Sequence, residues 1–361
     1  MKVLAILLTG ILASAVSGQK CNGFAALCTK PLNQVAFPGT HNSYAVGSTA
    51  SANQNFNISR QLADGIRMFE LDLHLKNGVV ELCHTQCDNV LFLDAGPLSS
   101  TLTVFKSFLD SNPGEVVIIT FENYDNVPAA TVAPLMSAAG LTDYAYAASA
   151  GTTTWPTLAD LISQNKRLIV FTDRLVDYAN YPWLMLTTDF FSDTFYIYWN
   201  ITALNADCSI DRPSGVKLPL LSVHHAVSTP VLGTNPRDPN VVYVPAVASV
   251  ATTNSYSNIL LHVATCQNVG YFPNFVRVDY YDQGDIFRAV DAINSVEGQR
   301  DGGYKTTANT TTAPAAASTG TGTSGTVGKP GGSHSIRVRG LWEAINALTI
   351  LLLAVTLTFH A

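Results

Sequence analysis

Gly39-Thr40-His41-Asn42-Ser43-Tyr44, followed by Phe69-Glu70-Leu71-Asp72 and Cys83-His84-Thr85, decides how this 361-residue chain is read. Each stretch closes a short β-strand pattern and ends in a group able to bind metal or move protons. Three successive strands that deliver chemistry at one end describe a barrel with its site at the strand C-termini.

Working outward, strand and helix patterns alternate through the core. Strands are expected at Gln34–Phe37, Met68–Leu73, Val79–Cys83, Val116–Phe121, Leu168–Phe171, Phe195–Trp199, Leu220–Val223 and Phe275–Tyr280. Between them, helical spacing marks Ile58–Ala63, Leu98–Leu109, Ala129–Ala139, Leu158–Gln164 and Ile286–Ile293. Repeated βα units predict a parallel sheet covered by helices. The fold class is α/β, a single (β/α)₈ TIM-type barrel over residues 19–305. Two connections break the pattern. Asn77-Gly78 reads as a tight turn between two strands, and Asp207–Leu218 is irregular, so the barrel is expected to be distorted or incompletely closed.

Polar groups follow each apolar run: His41-Asn42, Glu70 with Asp72, His84, Glu122, Asp173-Arg174, His224-His225, and Asp279 with Asp282. One polar residue at a strand end is ordinary, because turns begin there; seven in the same topological position are not. Glu70 and Asp72 stand two apart, so their side chains share a face. Two inward carboxylates repel unless a cation joins them. Asn42 and Glu122 complete an oxygen set that suits Ca²⁺ best, with Mg²⁺ second. The bland alternative pairs Glu70 with a cation such as Arg67 or Arg174. His41 and His84 would flank the metal, an arrangement suited to phosphodiester cleavage. His74 shares the inward face further along its strand. Of His224 and His225 only one can face inward, and His262 reads as structural. The chain has no Gly-x-Ser-x-Gly elbow, Gly-rich phosphate loop or His-Glu-x-x-His.

The two ends read as addresses. Residues 1–18 have the charged start, apolar run and small-residue end of a secretory signal, with cleavage after Ala15 or Gly18. Residues 306–333 are almost wholly Thr, Ala, Gly, Ser and Pro, and such a segment stays a solvated stalk. Residues 334–361 carry a terminal apolar run from about Ala344 to Phe359, the layout of a GPI-attachment signal, with a short transmembrane anchor as the alternative. The expected location is therefore the extracellular face of the plasma membrane or the cell wall. All 6 cysteines fall in the core. Sequence order suggests Cys21–Cys28, Cys83–Cys87 and Cys208–Cys266, although six cysteines permit 15 pairings. Asn57, Asn200 and Asn309 head glycosylation sequons. A net charge of -6 with 13% charged residues excludes the basic footprint of a nucleic-acid binder. Composition points to no protein partner.

The segments Phe37–Tyr44, Gly65–Asp72 and Leu82–Thr85 resemble, in order and spacing, the phosphatidylinositol-specific phospholipase C X-domain superfamily, the PLC-like phosphodiesterases. Val116–Asn123 resembles its fourth strand and Pro273–Tyr280 its last, so the likeness spans roughly the whole core. The metal-independent type of that family has Asp after the first His and Arg where Asp72 stands. This chain resembles the calcium-dependent type at Asn42, Glu70, Asp72 and Glu122. The resemblance implies that His41 stabilises the transferring phosphoryl group and His84 is the general acid. It implies that Glu70 assists attack by the inositol 2-hydroxyl, giving diacylglycerol and a cyclic inositol phosphate, and that Asp279 orients His41. Asp173, Arg174 and Tyr281 are the candidates for a hydroxyl-rich headgroup. The paired lysines of polyphosphoinositide enzymes are not found, which argues against a polyphosphorylated headgroup and leaves phosphatidylinositol, a glycosylated inositol lipid or another phosphodiester as substrates. Two other readings remain. One is a sphingomyelinase D-like or glycerophosphodiesterase-like enzyme, and the other is a non-catalytic GPI-anchored surface protein.

Overall fold

The computed structural model describes residues 18–84, 86–88, 93–238 and 241–304. The expected signal, stalk and anchor signal lie outside them, apart from Gly18. Strands run in chain order as β1 (Phe37–Thr40), β2 (Met68–Lys76), β3 (Val79–His84), β4 (Leu93–Pro97), β5 (Val117–Asn123), β6 (Leu168–Thr172) and β7 (Leu184–Leu186). They continue as β8 (Phe191–Thr194), β9 (Ile210–Arg212), β10 (Leu220–His224), β11 (Ser228–Leu232), β12 (Val242–Pro245) and β13 (Phe275–Val278).

Eight of these are parallel and curl into a barrel in the order β7-β6-β5-β2-β1-β13-β10-β8. Among the described residues β7 and β8 make no ladder, so the barrel is open along one seam, as the irregular connections predicted. Phe190 and Phe191 close that seam with side chains instead, each packing its ring on Phe171. The expected strand at Phe195–Trp199 is displaced: the strand is Phe191–Thr194. Ser192, Asp193 and Thr194 hid it from an apolar-run reading, while the apolar residues after it form a separate cluster with Leu204 and Val227.

The alternation along each strand sorts the interior from the helix layer. Met68, Ile118, Phe171 and Phe275 fill the barrel floor. Phe69, Leu71, Phe121 and Val276 face outward to the helices. Among these, α1 (Ile58–Asp64) starts at Asn57, whose side chain accepts from the Arg60 amide, and ends at Gly65 with φ +116°. The next, α2 (Leu98–Ser111), buries Leu98, Leu102, Phe105 and Leu109, one face of a helix. The expected Leu158–Gln164 and Ile286–Ile293 helices also form, as Leu158–Ser163 and Ile286–Ile293. A helix at Tyr256–Asn268 escaped the sequence reading.

The expected strand at Val79 is not a barrel strand. β2 runs beyond the barrel, turns at Asn77-Gly78 with φ +52° and +80°, and β3 returns antiparallel along it. His84 thus reaches the site on a hairpin hanging over the barrel mouth. All three expected disulfides form. No helix among the described residues is long and apolar enough to cross a membrane.

Candidate active site

The motif at Gly39–Tyr44 is a latch between the first two barrel strands. The Ser43 hydroxyl accepts from the Glu70 amide at 2.9 Å, and the Ser43 amide donates to the Glu70 carbonyl at 2.9 Å. Thr40 and Ser43 share a hydroxyl contact of 2.7 Å, and Thr40 donates to Gln61. The chain turns sharply at Asn42, φ +42°, and again at Tyr280, φ +46°. Each left-handed residue follows one member of a pair, His41 and Asp279. A positive φ at tyrosine is rare and marks a site held by its surroundings.

His41 Nδ1 lies 2.8 Å from the Asp279 carboxylate. Asn53 donates to the same Asp279 oxygen at 2.8 Å, and Asn42 donates to Asn53 at 3.3 Å. The Gln54 side chain fastens the His41 and Val278 carbonyls. Two residues back, the Ser51 carbonyl accepts from His84 Nδ1 at 2.7 Å. One loop, Ser51–Gln54, therefore pins both imidazoles through Nδ1 or its acceptor, and among the described residues neither Nε2 is hydrogen-bonded. His224 stands edge-on to His41, ring centroids 4.6 Å apart.

Below them lies a charged floor. Arg277, inward-facing on β13, pairs with Glu70 and, at 2.5 Å, with Asp193. Arg212 on β9 bridges Asp193 at 2.9 Å and Glu122 at 3.2 Å. The Tyr124 hydroxyl donates to Glu122 at 3.1 Å. Among the described residues Glu70 Oε2 and Asp72 Oδ1 are buried without a hydrogen bond of good geometry, with Glu122 close to Glu70 and the Tyr44 hydroxyl close to Asp72. The Arg277 stem fits because residue 39 is glycine: a Cβ there would sit 3.3 Å from Arg277 Cγ and 3.0 Å from Met68 Sδ.

Burial opposes charge throughout, and the local partner decides the outcome. Burial would lower the His41 pKa, but Asp279 reverses this and raises it to about 9. His84 drops to about 4, through burial first and the His41 charge second. His224 falls well below its ordinary value for the same two reasons. Burial raises Glu70 to about 7 against the pull of Arg277. It raises Asp72 well above the carboxylate range, with Glu122 and Glu70 adding to it. Glu122 goes the other way: burial would raise it, yet Arg212 and then Arg277 bring it down to about 2.

The expected residues divide accordingly. His41, Asn42, Glu70, Asp72, His84, Glu122 and Asp279 gather at the mouth and floor. Asp173 accepts from the Asn123 amide at the barrel rim and pairs with Arg174 at 2.7 Å. Tyr281 does not reach the mouth: it is buried in the helix layer against Phe56 and Phe287, its hydroxyl on Asp64. Glu70 does pair with a cation, as the alternative to a metal expected, but the cation is Arg277; Arg67 pairs with Glu115 and Arg174 with Asp173. His74 stacks on Tyr124 above the mouth, and His225 with His262 forms a buried pair behind the wall, Nδ1 to Nδ1 at 2.9 Å. Asn53, Asp193, Arg212 and Arg277 were missed. Arg277 was legible, since it stands two residues before Asp279 on an expected strand and so shares its face.

Eight parallel strands with a polar set at their C-terminal ends define an open TIM-type α/β barrel. The comparisons place it further: the family model PI-PLC X 1 matches residues 27–294. The chain belongs to the PI-PLC X family. It is 32% identical over 306 residues to PI-PLC X domain-containing protein 1 of Arthroderma benhamiae, covering 81% of this chain and 96% of that one. An uncharacterised secreted protein of the same organism is 30% identical over 296 residues, covering 76% of this chain and 64% of that protein. Among solved structures, the phosphatidylinositol-specific phospholipase C of Listeria monocytogenes superposes with a TM-score of 0.51 at 15% identity. That match covers 75% of this chain and 95% of the other, and it is a likeness of fold.

Proposed function

We propose that this chain is a secreted phosphodiesterase of the phospholipase C type. In this reading it cleaves phosphatidylinositol or a glycosylated form to diacylglycerol and a cyclic inositol phosphate at a membrane surface. The observation that carries the reading is the pair of imidazoles, each fixed through Nδ1, above a floor of buried carboxylates. The Listeria relative in fold and the family itself supply the reaction class. Three disulfides and a relative called secreted support export.

Asn42, Glu70, Asp72 and Glu122 would hold a divalent cation, and their chemistry fits one. All four offer oxygen, and Glu70 Oε2 and Asp72 Oδ1, buried without a hydrogen bond of good geometry among the described residues, are oxygens a hard cation satisfies. When bound, it would supply positive charge beside the phosphoryl oxygens. The protein's own groups carry the proton chemistry. His41, kept as imidazolium by Asp279, faces the phosphoryl oxygens. Glu70 takes the proton of the inositol 2-hydroxyl as that oxygen bonds to phosphorus. The diacylglycerol oxygen leaves with its bonding pair and receives a proton from His84. Since the resting site leaves His84 neutral, the phosphodiester anion must raise its pKa before it can serve as acid.

³¹P NMR of phosphatidylinositol micelles with the purified protein tests this, once with Ca²⁺ and once with a chelator. The expected result is a cyclic phosphate signal that needs Ca²⁺. Signal in both tubes removes the metal from the reading, and phosphate retained on the lipid beside free inositol points to the phospholipase D-like alternative. No product from any inositol lipid would sink the enzymatic reading.

A further inference from the structure

The two arginines of the floor are held in different ways. Arg277 is 2% exposed, pairs with two carboxylates and lies in a slot cut by Gly39. Arg212 is 40% exposed and sits on a three-residue edge strand whose pairing with β8 is irregular. Its Nε makes no hydrogen bond among the described residues and lies 3.9 Å from the Asp211 carboxylate. Neither of its carboxylates depends on it alone: Asp193 keeps Arg277, and Glu122 keeps the Tyr124 hydroxyl. The Arg212 guanidinium lies over the Tyr196 ring, 5.2 Å from its centroid. From Tyr196 a row of rings leads to His224 at 6.2 Å and on to His41 at 4.6 Å.

Resting on the phospholipase C reading above, we propose that Arg212 is an exchangeable counter-charge that becomes the phosphate ligand of the site. Without a divalent cation it neutralises Glu122. A cation on Glu122 satisfies that carboxylate and repels the guanidinium. Arg212 then pivots on the face of Tyr196 toward His41, where its planar fork fits two phosphoryl oxygens. Metal arrival and substrate capture are thereby linked through one side chain, while Arg277 keeps the floor neutral throughout.

Calorimetry on the whole protein tests this with CaCl₂ and with dimethyl phosphate, a phosphodiester anion. Arg212→Gln removes the competing charge and should bind Ca²⁺ about tenfold more tightly than the parent. With Ca²⁺ present, the same variant should bind dimethyl phosphate about tenfold more weakly, having lost a charge-assisted bidentate contact. The parent itself should bind dimethyl phosphate more tightly with Ca²⁺ than with chelator. Arg212→Lys, which keeps the charge without the fork, should bind Ca²⁺ within about twofold of the parent yet still lose the anion; it serves if the glutamine variant does not fold. Unchanged or weaker Ca²⁺ binding by Arg212→Gln overturns the proposal, as does a parent that binds no Ca²⁺ or a dimethyl phosphate affinity indifferent to residue 212. If the binding results hold but phosphatidylinositol is not cleaved, the proposed reaction fails and the exchange stands.

Discussion

Replacing Arg277 by methionine keeps most of the stem volume and removes the charge from the centre of the barrel. Both its ion pairs are buried, and breaking a buried pair by deleting one partner costs about 3–5 kcal/mol. The two carboxylates left behind are not equal. Asp193 retains Arg212 at 2.9 Å, whereas Glu70, 1% exposed, loses its paired cation. The expected loss is therefore the lower end of that range, about 3 kcal/mol, nearly all of it from Glu70. Adding Glu70→Gln should recover at least about 1 kcal/mol, because a neutral side chain no longer needs the cation. Urea unfolding of the parent, both single variants and the double variant, with chelator throughout, gives the coupling energy directly. A single Arg277→Met loss under about 1 kcal/mol, or a double variant no more stable than Arg277→Met, would refute the view that Arg277 holds the floor together.

Asp279→Asn should lower kcat by about 10²–10⁴-fold by removing the partner that orients and charges His41. Burial and the Arg277 charge then act on His41 against the Glu70 charge alone, so its imidazole should titrate well below about 9 by NMR; an unmoved titration contradicts the assignment. Gly39→Ala should cost about 1–3 kcal/mol from overpacking against Met68 and Arg277, and Met68→Ala in the same chain should relieve part of it. His225 and His262 give a pH signature, since burial lowers them to about 4 and about 3. With folded values below the ordinary 6.5, the folded state binds fewer protons. Their stability contribution is therefore full above pH 6.5 and is lost as pH falls from 6.5 toward 4. For His225 alone that is about 3 kcal/mol, and His262→Gln should flatten the slope of unfolding free energy against pH across that window. An identical slope in the variant would be the contrary result.

The barrel was legible because its central strands obey a strict alternation. In Met68–Leu73 the apolar Phe69, Leu71 and Leu73 face the helices while Met68, Glu70 and Asp72 face inward, so the alternation assigns both sides. The strand at Phe191–Thr194 was not legible, because Ser192, Asp193 and Thr194 form no apolar run and tertiary pairing with β10 overrides their weak preference. The same holds for Arg212, which lies in a stretch with no periodicity at all. Tyr281 is a headgroup candidate on sequence. The left-handed turn at Tyr280 instead sends it into the helix layer, a change of direction that no propensity forecasts.

The positions of the two histidines point to a division between what the barrel fixes and what it only supports. His41 leaves a barrel strand and is held by Asp279, which follows the adjacent barrel strand, so its placement is as rigid as the sheet. His84 comes from the returning arm of a hairpin and sits beside Cys83, which is bonded to Cys87. It is hydrogen-bonded to the backbone of a loop, at the Ser51 carbonyl. A proton donor carried on a hairpin can shift with the lipid that enters the mouth, whereas the His41 imidazolium cannot. Selectivity among leaving groups should therefore lie in the β2–β3 hairpin and the Ser51–Gln54 loop. The floor of Glu70, Asp193, Arg212 and Arg277 should stay indifferent to which lipid is cleaved.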